Sequence, residues 1–303
     1  MLPGVREITS LVDKPVSIVR LEIVRIAAPL AILGFMSPRL AHADEWLGDA
    51  GFRVPDLGGD WRQPLFLPAL PSGLAWAVAV VMAASGLACA IGWRARTNAL
   101  IFAATLMYAA LADRLASFTV SKLSPVVILA VAAGPAGTLL SVDARRNRGG
   151  GGGRETMQSS GAVRFLQMLP VVIYSASGIA KAKGDWLKVP LVLWSHVHDS
   201  YQTPLAFALA SILPAWAWTV SQGLVLAFEL LAPLWFGLAR TRPYALAFGL
   251  SMHAMIGLMF GPVRWFALLM MTLLFAGYAP QRIVTALEAA ADRFGGRRAA
   301  TSS

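Results

Sequence analysis

The segment Tyr174-Ser175-Ala176-Ser177-Gly178-Ile179-Ala180-Lys181-Ala182-Lys183-Gly184-Asp185-Trp186 closes a long apolar run with two lysines. An amine held in a partly dry setting can act as a base, because burial disfavours ammonium. The competing reading is that both lysines snorkel to lipid headgroups beside Trp186. Downstream, Glu229 lies deep within the apolar stretch Leu224–Trp235, and His253 sits well inside another such run. A carboxylate there is protonated or paired, either as a structural tie to another helix or as part of a proton or ligand site. His253 is read either as a hydrogen-bonded core residue or as a group lining a cavity. Glu22 and Arg25, three apart near the inner end of the first apolar run, share a helix face and are read either as a satisfied ion pair with snorkelling or as groups facing a cavity. His196 and His198, together with Asp199, could bind a metal. Histidines at i, i+2 suit a strand better than a helix, and neither the His-Glu-x-x-His zinc motif nor a nucleophile elbow occurs, so no metal is expected.

The elements that must position these groups follow from composition. The chain has 303 residues, of which 57% are hydrophobic and only 14% charged. That charged fraction is well below the quarter or so of a soluble domain, and the mean hydropathy is +0.62. A soluble enzyme, a disordered chain and a disulfide scaffold are excluded. The single cysteine, Cys89, lies in an apolar run and is read as a small buried residue. What remains is an all-α, polytopic bundle of transmembrane helices. Runs near 18–41, 72–93, 97–113, 123–142, 163–181, 214–238, 243–261 and 263–279 approach the 20 or so apolar residues that cross a bilayer, which predicts eight spans. Barrel-type alternation is absent.

Charge then orients the bundle. Arg94 and Arg96, then Arg145, Arg146, Arg148, Arg154 and Arg164, then Arg240 and Arg242, and finally Arg282, Arg293, Arg297 and Arg298 fall in alternate loops. By the positive-inside rule that face is cytoplasmic, with both termini inside and the Lys181 end of the fifth span outside. The opposite segment 42–71 carries Asp44, Glu45, Asp49, Asp56 and Asp60 against Arg53 and Arg62. The net charge of +10 is thereby explained without nucleic acid, for which no binding module is present. The division expected is a cytoplasmic segment 1–17, a membrane domain 18–280 and a basic cytoplasmic tail 281–303. Within the domain, a linker over 144–162 contains five consecutive glycines at 149–153. A short amphipathic surface helix is expected over 282–294. An alternative N-terminus, with Ala41-His42-Ala43 as a signal-peptide cleavage site, leaves seven spans and the same loop charges.

At the lysine segment the chain resembles the vitamin K-dependent gamma-carboxylase family and its bacterial relatives, the HTTM (horizontally transferred transmembrane) domain proteins. Tyr174, Gly178, Lys181 and Asp185-Trp186 match the spacing of the carboxylase signature. The second lysine of that signature, the family's proposed base toward vitamin K hydroquinone, falls on Lys181, and the first falls on Ala180. Arg242 followed by His253 and Met259-Phe260 is similar to the family's arginine and histidine-bearing helix. Ser141-Val142-Asp143 is similar to its Ser-Val-Asp, and Arg25 fits an arginine of its first helix. The resemblance covers roughly 18–280. Two departures stand beside it. The family's Asn-His-Ser motif maps to Thr119-Val120-Ser121, which puts Val120 in place of its histidine. The large lumenal domain of the animal carboxylase has no counterpart, so carboxylation of a protein glutamate is not expected.

The resemblance implies a plasma-membrane enzyme, a quinol-coupled oxidoreductase or carboxylase-like lyase, acting on a reduced quinone or another lipid-soluble small molecule that enters from the bilayer. Lys181 would be the base, with Tyr174, Trp186, Glu229, His253 and Arg25 lining the cavity. The rival reading is a non-enzymatic membrane protein: a transporter, an export or immunity factor, or a scaffold.

Overall fold

The computed structural model describes residues 15–51, 67–112, 119–146, 157–159, 161–199 and 201–294. The glycine linker, Arg53, Asp56, Asp60, Arg62, Arg148, Arg154, Arg297 and Arg298 lie outside the described residues. Apart from a two-stranded antiparallel ribbon, β1 (Pro15–Ser17) with β2 (Met157–Ser159), the described chain is helical. The helices are α1 (Val19–Leu40), α2 (Ala43–Trp46), α3 (Ser72–Ile91), α4 (Ala95–Ala112), α5 (Thr119–Ala133), α6 (Val142–Arg146) and α7 (Gly161–Lys183). They continue with α8 (Val192–Val197), α9 (Pro204–Ile212), α10 (Ala215–Leu230), α11 (Ala232–Gly237), α12 (Arg242–Met259), α13 (Arg264–Tyr278) and α14 (Gln281–Phe294).

A helix stands at each of the eight apolar runs, and several fit a multi-pass membrane protein. Ser72–Ile91, Ala95–Ala112 and Gly161–Lys183 are each long and apolar enough to cross a bilayer. Counting the bent pairs α9–α10 and α13–α14 as one span each raises the number to five. Two runs differ from expectation in shape. The fourth ends at Ala133, where Gly134-Pro135 follows, rather than near 142. Its 15 residues reach only about 22 Å, short of the roughly 30 Å hydrocarbon core. The sixth breaks at Leu231 into α10 and α11, because Pro233 has no N–H to continue the ladder. The amphipathic helix expected over 282–294 is α14.

The chain forms two compact units, residues 1–163 with 282–303 and residues 164–281. In the first unit α1 packs on α3 and α5, and α4 packs on both α3 and α5. Small residues line the contact faces: Ala75, Ala79, Gly86 and Ala90 on α3, and Ala95, Ala99, Ala103 and Ala109 on α4. With little apolar driving force between helices in lipid, such residues gain stability by letting backbones approach closely.

A polar knot ties this unit together. Arg25 Nε donates to Glu22 Oε2 at 2.7 Å. Its Nη1 donates to the carbonyls of Cys89 (2.9 Å) and Ala90 (2.7 Å) at the end of α3. Nη2 donates to Leu140 O at 2.5 Å and lies 2.7 Å from Glu22 Oε2. Glu22 Oε1 accepts from the N–H groups of Gly137, Thr138 and Leu139 at 2.7, 3.0 and 3.3 Å. The Ser-Val-Asp segment completes the knot. Asp143 Oδ2 accepts from Ala95 N at the start of α4, and Ser141 Oγ accepts from Ala144 N while donating to Gly137 O. Gly92, in the left-handed region at φ +74°, must be glycine. A Cβ there would strike Ser141 and come within 2.9 Å of Arg25 Nη1.

In the second unit α12 packs on α13, and α11 packs on α10 and α12. Val197, Ala206, Trp218 and Met259 form a core that joins α8, α9, α10 and the end of α12. Thr203 caps α9 by accepting from Ala206 N, and its hydroxyl also donates to Leu258 O at 2.7 Å.

Candidate functional site

The second unit's polar residues converge on one face of α7. Spacing of four and three residues aligns Pro170, Tyr174, Gly178 and Lys181 along that face. Pro170, Tyr174 and Gly178 are buried there, whereas Phe165, Met168, Val172 and Ile179 on the other side are exposed. At Gly178 the end of α10 comes close. A Cβ there would lie 2.8 Å from Leu230 N and 3.1 Å from Glu229 Cβ, so the two backbones meet only because no side chain stands between them.

That approach places Glu229 beside the next turn of α7. Lys181 Nζ donates to Glu229 Oε1 at 2.5 Å. The lysine side chain is 24% exposed and the glutamate 7%. The other carboxylate oxygen, Oε2, is buried without a partner. After Lys183, Gly184 N bonds back to the carbonyls of Ala180 and Lys181, and a 3-10 turn over Asp185–Leu187 reverses the chain. Trp186 thereby lies over Lys181, with Nζ 4.6 Å from the ring centroid. The ammonium is held between a carboxylate and an indole face, a geometry that suits a cation. Lys183, two residues on, is exposed.

Two turns earlier on the same face, Tyr174 Oη is hydrogen-bonded to His253 Nε2 of α12 at 2.7 Å. Both residues are 2% exposed. Aromatic rings enclose them. Tyr174 meets Phe228 edge-on at 5.1 Å and stacks on Phe236 at 6.3 Å, and His253 meets Phe266 edge-on at 5.7 Å. His253 Nδ1 is buried and has no partner.

Gln222 is a residue that the sequence reading passed over. It is buried in α10, seven residues before Glu229 and therefore on the same face. Its Nε2 donates to Trp186 O (2.7 Å) and Val189 O (3.1 Å), and its Oε1 accepts from Leu193 N at 3.1 Å. These bonds pin the turn that carries Trp186. An amide in a stretch with no charged residue from 204 to 228 was the available signal.

The remaining candidates are placed elsewhere. Arg25 belongs to the first unit, fully buried, with every guanidinium nitrogen engaged in the knot. Val120 is buried at the start of α5, and its carbonyl accepts from Ser124 Oγ at 2.6 Å. His196 and His198 lie on the short helix α8 and at its end, rather than on a strand. Each turns Nδ1 onto the carbonyl four residues back, Val192 and Trp194 respectively. Among the described residues no three metal-ligating side chains come together. Arg242 closes the end of α11, with Nε 2.8 Å from Phe236 O and Nη2 3.0 Å from Gly237 O, the place where a cation complements a helix dipole.

The model of the HTTM domain matches residues 14–278, most of the chain. That domain is found in vitamin K-dependent carboxylase-like proteins. No curated protein and no solved structure matches the chain.

Proposed function

The chain belongs to the HTTM domain family, and from that premise we propose base-catalysed, oxygen-dependent chemistry on a quinol or another lipid-soluble substrate. With its apolar helices, it is a membrane protein of the carboxylase-like family. One observation carries the proposal: the family's base position, Lys181, is a mostly buried amine 2.5 Å from an otherwise unsatisfied carboxylate.

The pair can release a base without changing its charge. Moving one proton from Nζ to Glu229 leaves a neutral amine beside a carboxylic acid, and a buried neutral pair avoids the cost of two desolvated charges. The amine then takes a proton from a quinol hydroxyl, giving an ammonium and a quinol anion, and the anion reacts with oxygen. Trp186 and the phenylalanines around Tyr174 supply an apolar, aromatic setting suited to such a ring. The test is Lys181→Ala in lipid nanodiscs. Quinol-dependent oxygen uptake is expected to fall at least a hundredfold while the protein stays folded, with partial recovery on adding a small primary amine. Unchanged uptake would remove Lys181 from the chemistry.

The topology that goes with this reading has eight spans, both termini in the cytoplasm and the Lys181 end of α7 outside. It is supported by the alternate placement of the arginine-rich loops. A reporter fused at position 151 is expected to be cytoplasmic, and an external signal would invert the arrangement.

A second reading, a non-enzymatic membrane protein, is favoured by Val120. A buried aliphatic side chain stands where the family's motif has a histidine, so one ionisable group of the family chemistry is missing.

A further inference from the structure

A helix that is apolar all round needs something to cover it. In α9 (Pro204–Ile212) every residue but Ser211 is apolar, and the Ser211 hydroxyl is turned back onto Phe207 O at 2.9 Å. Yet Ala206 is its one buried residue, and Phe207 and Ile212 are 62% and 73% exposed. Pro214 holds Leu213 extended and ends the helix, and α10 sets off at 118° to α9. The exposed apolar surface carries on across the bend through Trp216, Val220 and Leu224, which are four residues apart and share one side of α10.

Contacts within the second unit fix where this surface lies. Helices α12 and α13 form a hairpin whose open end, at Tyr278, bonds to Gln167 O near the start of α7. Met259 and the turn after it therefore stand at the other end, beside Lys181. Three successive points of α10 are held there. Trp218 shares a core with Met259, Gln222 bonds to the turn that follows α7, and Glu229 lies beside Gly178 and Lys181. From Trp218 to Glu229 the helix rises about 16 Å, so a crossing helix would have left that end. Instead the chain enters the bundle only past Leu231, where Phe236 stacks on Tyr174. Helix α9 is tied to the same end, since Thr203 N and Oγ1 bond to Met259 O and Leu258 O.

We infer that α9 and α10 lie along the membrane plane at the Lys181 end, with Phe207, Ile212, Trp216, Val220 and Leu224 sunk among the acyl chains just below the headgroups. The partner is the lipid itself. Helix α7 is long and apolar enough to cross a bilayer, so its last turn marks the edge of the hydrocarbon layer. Glu229 sits beside α7 at Gly178, before that last turn, which sets the end of α10 within the layer. No charged residue occurs from 204 to 228 to draw the pair of helices out into water. The hydroxyls of Ser211 and Thr219 are both bonded to the carbonyl four residues back, so neither meets lipid unpaired. An indole such as that of Trp216 is at home at this depth. The inference goes beyond the quinol reading and does not depend on it.

The test is depth-resolved quenching in phosphatidylcholine vesicles. Phe207→Cys, Trp216→Cys, Val220→Cys and Leu224→Cys are made one at a time in a Cys89→Ala chain, and each thiol carries a small fluorophore. All four side chains are exposed, so the label displaces no packing. The quenchers are a group on the acyl chain near the glycerol, the same group near the chain end, and iodide in the water. The shallow lipid quencher is expected to exceed the deep one by about twofold or more at every position, as for a helix sunk about 5–10 Å into the interface, with iodide weakest. If α10 crossed the bilayer, Trp216 and Leu224 would differ in depth by about 12 Å. Quenching that passes from shallow to deep along that series overturns the in-plane placement. Iodide as the strongest quencher at Phe207 and Trp216 overturns the lipid contact. Protection from all three quenchers together with a doubled mass also overturns it, because a second copy of the chain then covers the face.

Discussion

Each unit of the molecule buries an ion pair, and the two pairs are built on opposite plans. Glu22 and Arg25 are both fully buried and leave nothing unsatisfied. Three backbone N–H groups and three backbone carbonyls complete the carboxylate and guanidinium. Lys181 and Glu229 have no such shell. The lysine keeps 24% of its side-chain surface exposed, its ammonium meets a carboxylate oxygen and an indole face, and Glu229 Oε2 has no partner. A saturated pair cannot exchange a proton or accept a ligand without losing bonds already made. An unsaturated one can gain bonds by doing either. The difference separates a structural tie from a group available for chemistry, although both read in the sequence as charged residues in apolar helices.

The largest effect is expected at the saturated pair. Arg25→Met strands a buried carboxylate and should cost about 3–5 kcal/mol, read as a drop in the thermal midpoint and loss of folded protein. Replacing Glu22 and Arg25 together by Met should recover part of that. If Arg25→Met proves as stable as the unaltered chain, the knot does not tie the unit together. A smaller effect, about 1–3 kcal/mol, is expected for Gly178→Ala, whose new methyl meets the backbone of Leu230. By pushing α10 away, it should also lower oxygen uptake by parting Lys181 from Glu229. Normal uptake in that variant would show that the close approach does not set the pair.

Much of this was legible from run lengths and spacing. The helices stand where the apolar runs predicted. Tyr174, Gly178 and Lys181 share a face because four and three residues make a helical step. The Glu22–Arg25 pair follows from i, i+3 spacing. What could not be read is long-range. The carbonyls that saturate Arg25 lie 64 to 115 residues away, and no local pattern names Glu229, 48 residues on, as the partner of Lys181 rather than of another cation. Backbone groups carry no sequence signal, so a saturated and an unsaturated pair look alike until the fold is known. The early end of α5 and the break at Leu231 were signalled by Pro135 and Pro233 but outweighed by continuous apolarity.

The most direct measurement is quinol-dependent oxygen uptake by Lys181→Arg, compared with Lys183→Ala as the exposed control. Arginine keeps the charge and the ion pair but cannot give up its proton. If the open pair is a base, Lys181→Arg should lose at least a hundredfold in rate while remaining folded, and Lys183→Ala should stay within about twofold of the unaltered protein. Full activity in Lys181→Arg would mean that a fixed positive charge suffices, which contradicts the base assignment.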